Sequence, residues 1–261
     1  MSFLWENEVR IAIFGYGFVG SAYKALLDPS YELAVVDPPK GLPFDDVAKD
    51  ADCVVIAVPA PTTGDGDVDI TDILAIVDGY PEHVPILIKS SLPPSKVGDL
   101  PVNVTYSPEY LRAANAVEDL FDSRYMVFGG GHTNFWVQVM AECLPWIDMV
   151  ETSAINASFM KYTVNSFLAL KVSFMNEIET LHKTMSPESR WIDLAELLKL
   201  DSRLGTSHYS VPGDDGQYGF GGACFPKDTK AFTAMANEKE SPLKLIETAI
   251  DLNKTWRNDD A

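Results

Sequence analysis

Short apolar runs recur along residues 1–150, and segments of mixed polarity separate them. Runs of this length without polar alternation are typical of strands buried on both faces of a parallel sheet. The predicted strands are Val9 to Phe14, Leu33 to Val36, Ala51 to Val58, Pro85 to Lys89, Val102 to Tyr106 and Arg124 to Phe128. Strands that alternate with helical segments predict an α/β fold with a doubly wound parallel sheet.

Residues 151–261 show a different pattern, in which apolar positions recur at helical spacing. The stretch from Asn156 to Lys183 contains neither proline nor glycine, and it predicts one long helix. Shorter helices are predicted over Trp191 to Leu200 and over Leu243 to Trp256. We therefore expect the sheet domain, residues 1–150, to be followed by an all-α helical domain, residues 151–261.

The first predicted strand runs directly into Gly15-Tyr16-Gly17-Phe18-Val19-Gly20, and a helix is predicted from Ser21 to Leu27. Glycines at this spacing permit a tight turn and bring a pyrophosphate against the amino end of the helix. The second strand ends in Asp37, about 20 residues further on, where a carboxylate accepts hydrogen bonds from ribose hydroxyls and repels a 2′-phosphate. The pattern predicts an NAD-binding Rossmann domain over residues 1–150, with NAD favoured over NADP. The candidate cofactor contacts are Gly15, Gly17, Phe18, Val19, Gly20 and Asp37.

A cysteine lies in a second glycine-rich stretch, Gly219-Phe220-Gly221-Gly222-Ala223-Cys224-Phe225-Pro226-Lys227-Asp228. The glycines let the backbone take positive φ angles and approach a ligand closely. With Lys227 and Asp228 nearby, the setting of Cys224 favours a reactive thiolate. The same residues also fit a glycine-rich turn over a buried and inert cysteine. This stretch alone leaves both interpretations open.

Polar residues that follow predicted strands or share a helix face are further candidates. Ser91 follows the fourth strand and Glu109 follows the fifth, and ligands bind at the carboxyl ends of strands in sheets of this kind. On the long predicted helix, Lys161 and Asn165 lie one turn apart on one face amid apolar residues. That setting predicts burial, and a buried lysine needs a partner.

Composition excludes several classes of function. The formal net charge of −18 at pH 7 is the opposite of the basic footprint of a nucleic-acid-binding protein. No apolar stretch has the length of a membrane span, and the segment from Met1 to Glu8 carries acids where a signal peptide has a basic region. The three cysteines are far apart and odd in number, so we expect neither disulfides nor a metal cluster. Free cysteines also predict a cytoplasmic location.

Three acids in one segment, Asp65, Asp67 and Asp69, alternate like the start of an EF-hand calcium loop. The sixth and twelfth positions of such a loop need glycine and glutamate, and here they are Ile70 and Ile76. We expect a solvated acidic loop that binds no metal.

Together these motifs resemble the UDP-glucose/GDP-mannose dehydrogenase family. The stretches that carry the resemblance are Gly15 to Gly20, Val58 to Thr62, Lys89 to Ser91, Ser107 to Arg112, Lys161 to Ala169, Ser173 to Glu177 and Gly219 to Asp228. The last is the most specific. Its Phe225-Pro226-Lys227-Asp228 form resembles members that act on UDP-glucose more than members that act on N-acetylmannosamine sugars.

The resemblance implies an enzyme that oxidises a primary alcohol to a carboxylate with two molecules of NAD and no metal. Cys224 would attack the intermediate aldehyde to give a thiohemiacetal, and it would later leave from a thioester on hydrolysis. Lys161 and Asn165 would hold the oxygen on which negative charge develops. The roles implied in hydrolysis are proton transfer and water positioning for Asp228, general-base catalysis for Glu109, and help in holding the water for Ser91.

The resemblance also implies contacts with cofactor, substrate and a second subunit. Pro59 and Lys227 would contact NAD. The expected substrate is a UDP-sugar, UDP-glucose above all, and its implied contacts are Tyr110, Leu111, Arg203, Tyr209, Phe220 and Gly221. Arg203 would reach into the sugar site of a neighbouring subunit, in a homodimer formed by the long helix and the last helix.

Two departures from the family pattern leave alternatives open. Ala113 replaces the second acid of the motif that begins at Glu109, and the chain ends at Ala261, where typical members continue into a second Rossmann-like domain that binds UDP. We expect a compact NAD-dependent sugar-nucleotide 6-dehydrogenase. The alternative is a truncated NAD-binding homologue that needs a partner chain or has a regulatory role. A third alternative is a two-domain dehydrogenase of the hydroxyisobutyrate or 6-phosphogluconate type, which shares the layout of a Rossmann domain followed by helices. The cysteine stretch argues against it, because such an enzyme has no use for that stretch.

Overall fold

The computed structural model of the chain describes residues 9–64 and 66–257. The acidic N-terminal segment and Asp65 of the acidic loop lie outside the described residues. The chain divides into two compact units, of which the first ends at Lys161 and the second begins at Tyr162, while Gly64–Asp67 is grouped with the second. Each unit is described separately below.

A seven-stranded sheet forms the centre of the first unit. Its strands are β1 (Arg10–Phe14), β2 (Glu32–Val36), β3 (Cys53–Ile56), β4 (Ile86–Ile88), β5 (Val104–Tyr106), β6 (Tyr125–Gly130) and β7 (Asp148–Thr152). Their order across the sheet is β2-β1-β3-β4-β5-β6-β7. Neighbouring strands are parallel except β5 and β6, which pair in antiparallel fashion. The apolar pattern did not indicate this exception, because burial on both faces does not encode strand direction.

Ten helices lie between and after the strands within the described residues. Those of the first unit are α1 (Phe18–Leu27), α2 (Asp46–Lys49), α3 (Thr71–Asp78), α4 (Pro94–Val97), α5 (Ala116–Phe121) and α6 (Thr133–Cys143). The remaining four are α7 (Ala154–Met185), α8 (Trp191–Leu198), α9 (Phe225–Glu238) and α10 (Lys244–Trp256). The α/β class, with a mostly parallel sheet followed by helices, is confirmed.

The strands of the first unit form elements because their apolar side chains leave water on both faces of the sheet. Side chains of β1, β3 and β4 pack with those of α1 and α6 in one core cluster, which includes Ile11, Ile13, Val55, Leu87, Tyr23 and Trp136. Each of these six side chains is completely buried. A rigid sheet of this kind fixes the positions of the loops that leave its carboxyl edge.

Among the described residues of the second unit, two smaller apolar clusters join the helices. Met175 of α7 packs with Ala195 of α8 and with Tyr209 and Val211 of the following loop. The other cluster joins α7 to α10 and the glycine-rich stretch, and its buried members are Ala169, Phe220 and Ala249. No helix in the described part of the chain combines the length and the apolar character needed to cross a membrane.

Candidate active site

The turn between β1 and α1 uses its three glycines in different ways. Gly15 has a φ of +88°, and a Cβ there would lie 2.6 Å from the carbonyl oxygen of Ala57. A Cβ at Gly20 would lie 1.8 Å from the carbonyl oxygen of Gly15, so only glycine allows α1 to pack on the turn. Gly17 is the N-cap of α1, and no described atom lies within 4 Å of the position of its Cβ. This open space faces the amino end of a helix, where backbone N–H groups bind phosphate.

Asp37 follows β2 and is tied to the glycine turn. The backbone N–H of Tyr16 donates a 2.7 Å hydrogen bond to Asp37 Oδ2, and Lys40 Nζ lies 3.9 Å from the same oxygen. Among the described residues, Oδ1 of Asp37 accepts no hydrogen bond, so it is available to a ribose hydroxyl. The space at Gly17 and this carboxylate oxygen together fit the pyrophosphate and ribose of a dinucleotide.

The loops after β3 and β4 are joined by one short hydrogen bond. Ser90 Oγ donates to the carbonyl oxygen of Val58 at 2.6 Å. Pro59 and Ser91 are the next residues of the two loops, so both predicted site residues lie at the carboxyl edge of the sheet. The side chain of Ser91 is half-buried.

Glu109 is the centre of a buried polar cluster that the sequence did not indicate. Lys89 Nζ forms an ion pair with Glu109 Oε1, and Tyr23 donates a 2.5 Å hydrogen bond to the same oxygen. Lys89 also donates to Ser107 Oγ at 2.8 Å, and its ammonium lies 4.9 Å from the centre of the Tyr23 ring. The Lys89 side chain is completely buried. A lysine that ends an apolar strand run was the available signal, because burial forces such a lysine to find an anion.

Burial and, to a lesser extent, charge change the pKa values of Lys89 and Tyr23. Burial lowers the pKa of the Lys89 ammonium, and the negative charge of Glu109 opposes that effect. Burial also raises the pKa of the Tyr23 hydroxyl well above its ordinary value, and the charge of Glu109 adds to the increase. Tyr23 is therefore a persistent donor to Glu109.

Lys161 lies in the first unit and is buried, as the apolar setting of its helix predicted. Its ammonium donates to the backbone carbonyl oxygen of Glu109 and lies 5.1 Å from the centre of the Tyr110 ring. The Tyr110 hydroxyl is buried and forms no hydrogen bond to the described residues. Burial raises the pKa of this hydroxyl above its ordinary value. Leu111, the next residue, is buried in the core cluster of the sheet.

The cysteine stretch continues directly into α9, a helix that the sequence analysis did not predict. Cys224 is the N-cap of α9, and Pro226 lies in the first turn, where its missing N–H leaves no helical hydrogen bond unmade. Cys224 is partly exposed. Cys224 is therefore not the fully buried cysteine of the alternative interpretation.

Asp228 is completely buried one turn into α9. Asn165 Nδ2 donates a 2.6 Å hydrogen bond to its Oδ2, and Lys227 Nζ lies 2.5 Å from its Oδ1. The backbone N–H of Asp228 donates to the carbonyl oxygen of Cys224 at 2.8 Å. The structure thus brings four predicted site residues of the second unit together: Asn165, Cys224, Lys227 and Asp228.

The glycine-rich segment before Cys224 is held by side chains from two helices and by Arg257, the residue after α10. Asn253 of α10 accepts a 2.8 Å hydrogen bond from the backbone N–H of Phe220 and donates a 2.9 Å bond to its carbonyl oxygen. Asn176 of α7 accepts a 3.0 Å bond from the backbone N–H of Gly219. Arg257 donates to the carbonyl oxygen of Tyr218 at 2.8 Å. Sequence reasoning missed these residues, since a polar side chain on a helix gives no local sign of the loop it holds.

The other predicted substrate contacts differ in accessibility. Phe220 is buried in an apolar cluster, and Gly221 leaves no room for a side chain because a Cβ would lie 2.1 Å from Arg257 Nη1. Tyr209 is buried with its ring under the ammonium of Lys171, 3.9 Å from the ring centre. Arg203 is exposed and forms a 2.5 Å ion pair with Asp201.

Comparison with known proteins gives these residues a context. Residues 155–255 match the central domain of the UDP-glucose/GDP-mannose dehydrogenase family. Over these residues the chain is similar to members of that family. It is 29% identical over 228 residues to a UDP-glucose 6-dehydrogenase of Rickettsia bellii, and 30% identical over 226 residues to one of Bacillus subtilis.

Both relatives are longer proteins. The alignments cover 81% and 79% of this chain, but only 51% and 47% of the two relatives, so the chain spans about half of their length. A solved UDP-glucose dehydrogenase from the archaeon Pyrobaculum islandicum has the same fold, with a TM-score of 0.80 at 23% identity. That likeness covers 95% of this chain and 68% of the archaeal one.

Proposed function

We propose that the protein is an NAD-dependent dehydrogenase that oxidises the primary alcohol of a UDP-sugar to the carboxylate. The favoured substrate is UDP-glucose. The proposal is supported chiefly by one observation: a partly exposed cysteine caps a helix whose first turn carries a buried aspartate bonded to Asn165 and Lys227. A purely structural cysteine would not require a buried and fully bonded carboxylate one turn away. The names of the relatives supply the substrate class, because those proteins are UDP-glucose 6-dehydrogenases.

In this proposal Cys224 carries the covalent step. Its sulfur bonds to the carbonyl carbon of the aldehyde while the carbon–oxygen double bond becomes a single bond and the oxygen takes a proton. Loss of a hydride and of that proton then converts the thiohemiacetal to a thioester. Water then adds to the thioester carbon, the carbon–sulfur bond breaks, and the thiolate leaves with the electron pair. A thiolate suits both halves because it is a good nucleophile and a good leaving group.

The proposal divides the remaining work between side chains of known position. Lys161 and Asn165, one turn apart on α7, stabilise negative charge on the reacting oxygen. Asp228 takes part in proton transfer, and Glu109 is the general base of hydrolysis, assisted by Ser91 in holding the water. The substrate contacts proposed are Tyr110, Leu111, Arg203, Tyr209, Phe220 and Gly221.

NAD is the proposed cofactor because the residues at the end of β1 and β2 suit it. When bound, NAD accepts the hydride of each oxidation. Gly15, Gly17, Phe18, Val19 and Gly20 would hold its pyrophosphate, and Asp37 its ribose. Pro59 and Lys227 are the further proposed contacts. A cytoplasmic location belongs to the proposal and is supported by three free cysteines.

A homodimer is also proposed, and α7 supplies its support. Phe167, Phe174 and Leu181 lie seven residues apart on this helix, with 63%, 55% and 56% of their surfaces exposed. Residues at this interval form a stripe on one side of a helix, and an exposed apolar stripe of this kind is typical of an interface. The second copy of α7 is the proposed occupant.

The function is tested by following NADH absorbance with the purified chain, NAD and a panel of nucleotide sugars. We expect NADH with UDP-glucose and little with GDP-mannose or free glucose. NAD binding without NADH formation for any sugar would instead support the alternative of a regulatory homologue or one that needs a partner chain.

A further inference from the structure

The two oxygens of the Glu109 carboxylate have different surroundings. Oε1 accepts from both Lys89 and Tyr23, whereas Oε2 accepts no hydrogen bond from any of the described residues. A carboxylate that is bound through one oxygen keeps a fixed orientation and presents the lone pairs of the other. The asymmetry therefore distinguishes a structural oxygen from an available one.

Lys89 is well suited to hold this orientation. An ammonium has three N–H donors, and at Lys89 they meet Glu109 Oε1, Ser107 Oγ and the face of the Tyr23 ring. Lys89 and Ser107 are themselves fixed by backbone hydrogen bonds to neighbouring strands. The N–H of Lys89 donates to the carbonyl oxygen of Ile56, and the N–H of Ser107 donates to that of Ile88. These contacts hold the ammonium in one position beside Oε1.

We propose that Lys89 and Tyr23 are positioning residues that reserve Glu109 Oε2 as the proton acceptor in the hydrolytic step. The inference rests on the proposed function, since it assigns a geometry to the general base of that reaction. Oε2 takes a proton from water while the water oxygen bonds to the thioester carbon. The carbon–sulfur bond breaks, and Cys224 departs as thiolate. Lys89 touches neither water nor substrate and acts only through Glu109.

A stopped-flow and intact-mass experiment on the whole chain separates this role from a general structural one. Lys89→Met is expected to form the covalent adduct on Cys224 at nearly the parent rate, and to hydrolyse it on the order of 100-fold more slowly, the scale of a general-base contribution. The adduct would then accumulate in the mass spectrum. Tyr23→Phe is expected to show the same split with a smaller loss, and Lys89→Arg to recover part of the hydrolysis.

Lys24→Met is the matched control, because Lys24 has an exposed ion pair with Asp28 on α1. It is expected to behave as the parent does in both steps. If Lys89→Met slows adduct formation and hydrolysis alike, or leaves both unchanged, the positioning role is wrong. If the parent forms no adduct with any sugar, the proposed function fails instead.

A double-mutant cycle tests the contact whether or not the chain turns over. Urea unfolding midpoints are compared for the parent, Lys89→Met, Glu109→Gln and the double variant. Lys89→Met removes the cation beside the Glu109 carboxylate, and Glu109→Gln removes the negative charge beside the buried ammonium. We therefore expect both to lower the midpoint and the double variant to lose much less than the sum. Additive losses would overturn the inference, because the ammonium would not be coupled to the carboxylate.

Discussion

Asn165 Nδ2 and Asp228 Oδ2 are joined by a 2.6 Å hydrogen bond in which both side chains are buried. Since Lys227 lies on the other carboxylate oxygen, the Asp228 charge is bonded on both sides. The bond therefore fixes Asn165 of α7 and Asp228 in the first turn of α9 relative to each other. This bond places the amide proposed to stabilise developing charge next to the carboxylate proposed for proton transfer.

Asn165→Ala is expected to lower the stability of the chain by about 1.5–3 kcal/mol, the loss typical of a hydrogen bond to a charged group. The measurement is urea unfolding followed by circular dichroism. Asn237→Ala removes a hydrogen bond from an exposed asparagine of α9 to Glu247 and is the control. Equal effects of the two substitutions would show that the buried bond contributes no more than a surface one.

Much of the fold could be predicted from the sequence, and the exceptions have physical reasons. The six strands with apolar runs were found, whereas β7 was missed because Asp148 and Glu151 interrupt its apolar positions and it lies at the edge of the sheet. The helix α9 was missed because the glycines before it and Pro226 within its first turn indicated a loop.

The candidate site was predicted less completely than the fold. Cys224 and Asp228, which are proposed to take part in the chemistry, lie in one local motif and could be named from that segment alone. Lys89 and Asn253 act through contacts with residues 20 or more positions away. Such contacts exist only after folding, and no local pattern of residues encodes them.

A matched pair of glycines tests how the cysteine segment is held. Gly216 and Gly219 both have a φ of +76°, but a Cβ at Gly219 would lie 2.3 Å from Asn253 Oδ1, while no described atom lies within 4 Å of one at Gly216. Gly216→Ala is expected to cost only the left-handed backbone strain, about 1–2 kcal/mol. Gly219→Ala is expected to cost about 1–3 kcal/mol more, because it displaces Asn253 from the backbone of Phe220.

The comparison is made by urea unfolding of the two variants under identical conditions. The difference between them removes the shared strain and leaves the contact with Asn253. If the two losses are the same, Asn253 can move away freely and does not hold the segment.

Asp37→Ala is expected to weaken NAD binding by about 1–3 kcal/mol and to narrow the preference for NAD over NADP. The first effect follows from the lost ribose contacts, and the second from the lost repulsion of a 2′-phosphate. Asp37→Asn keeps an acceptor for the Tyr16 N–H and removes only the charge, so it should affect the preference more than the affinity for NAD.

Both dissociation constants are measured by isothermal titration calorimetry. Asp28→Ala is the control for a general effect of removing one acid, because Asp28 caps the carboxyl end of α1, away from the glycine turn. An unchanged ratio of NAD to NADP affinity in the Asp37 variants would mean that this carboxylate does not contact the ribose.

Phe174→Glu is expected to convert the proposed dimer to a monomer, because it buries a charge in the middle of the α7 stripe. The mass in solution is measured by light scattering after size-exclusion chromatography over a range of concentrations. Val102→Glu is the control, as Val102 is 73% exposed and lies in the loop before β5. A parent chain that is monomeric throughout would remove the dimer from the proposal.

The covalent role of Cys224 is the central claim, and the ratio of NADH to UDP-glucuronate formed from UDP-glucose tests it most directly. Cys143→Ser is the matched control, because burial raises the pKa of that thiol to about 11 and keeps it unreactive near neutral pH. We predict two NADH for each acid in the parent and in Cys143→Ser, and no acid from Cys224→Ser, which should still bind NAD. Comparable acid production by Cys224→Ser and the parent would contradict the account.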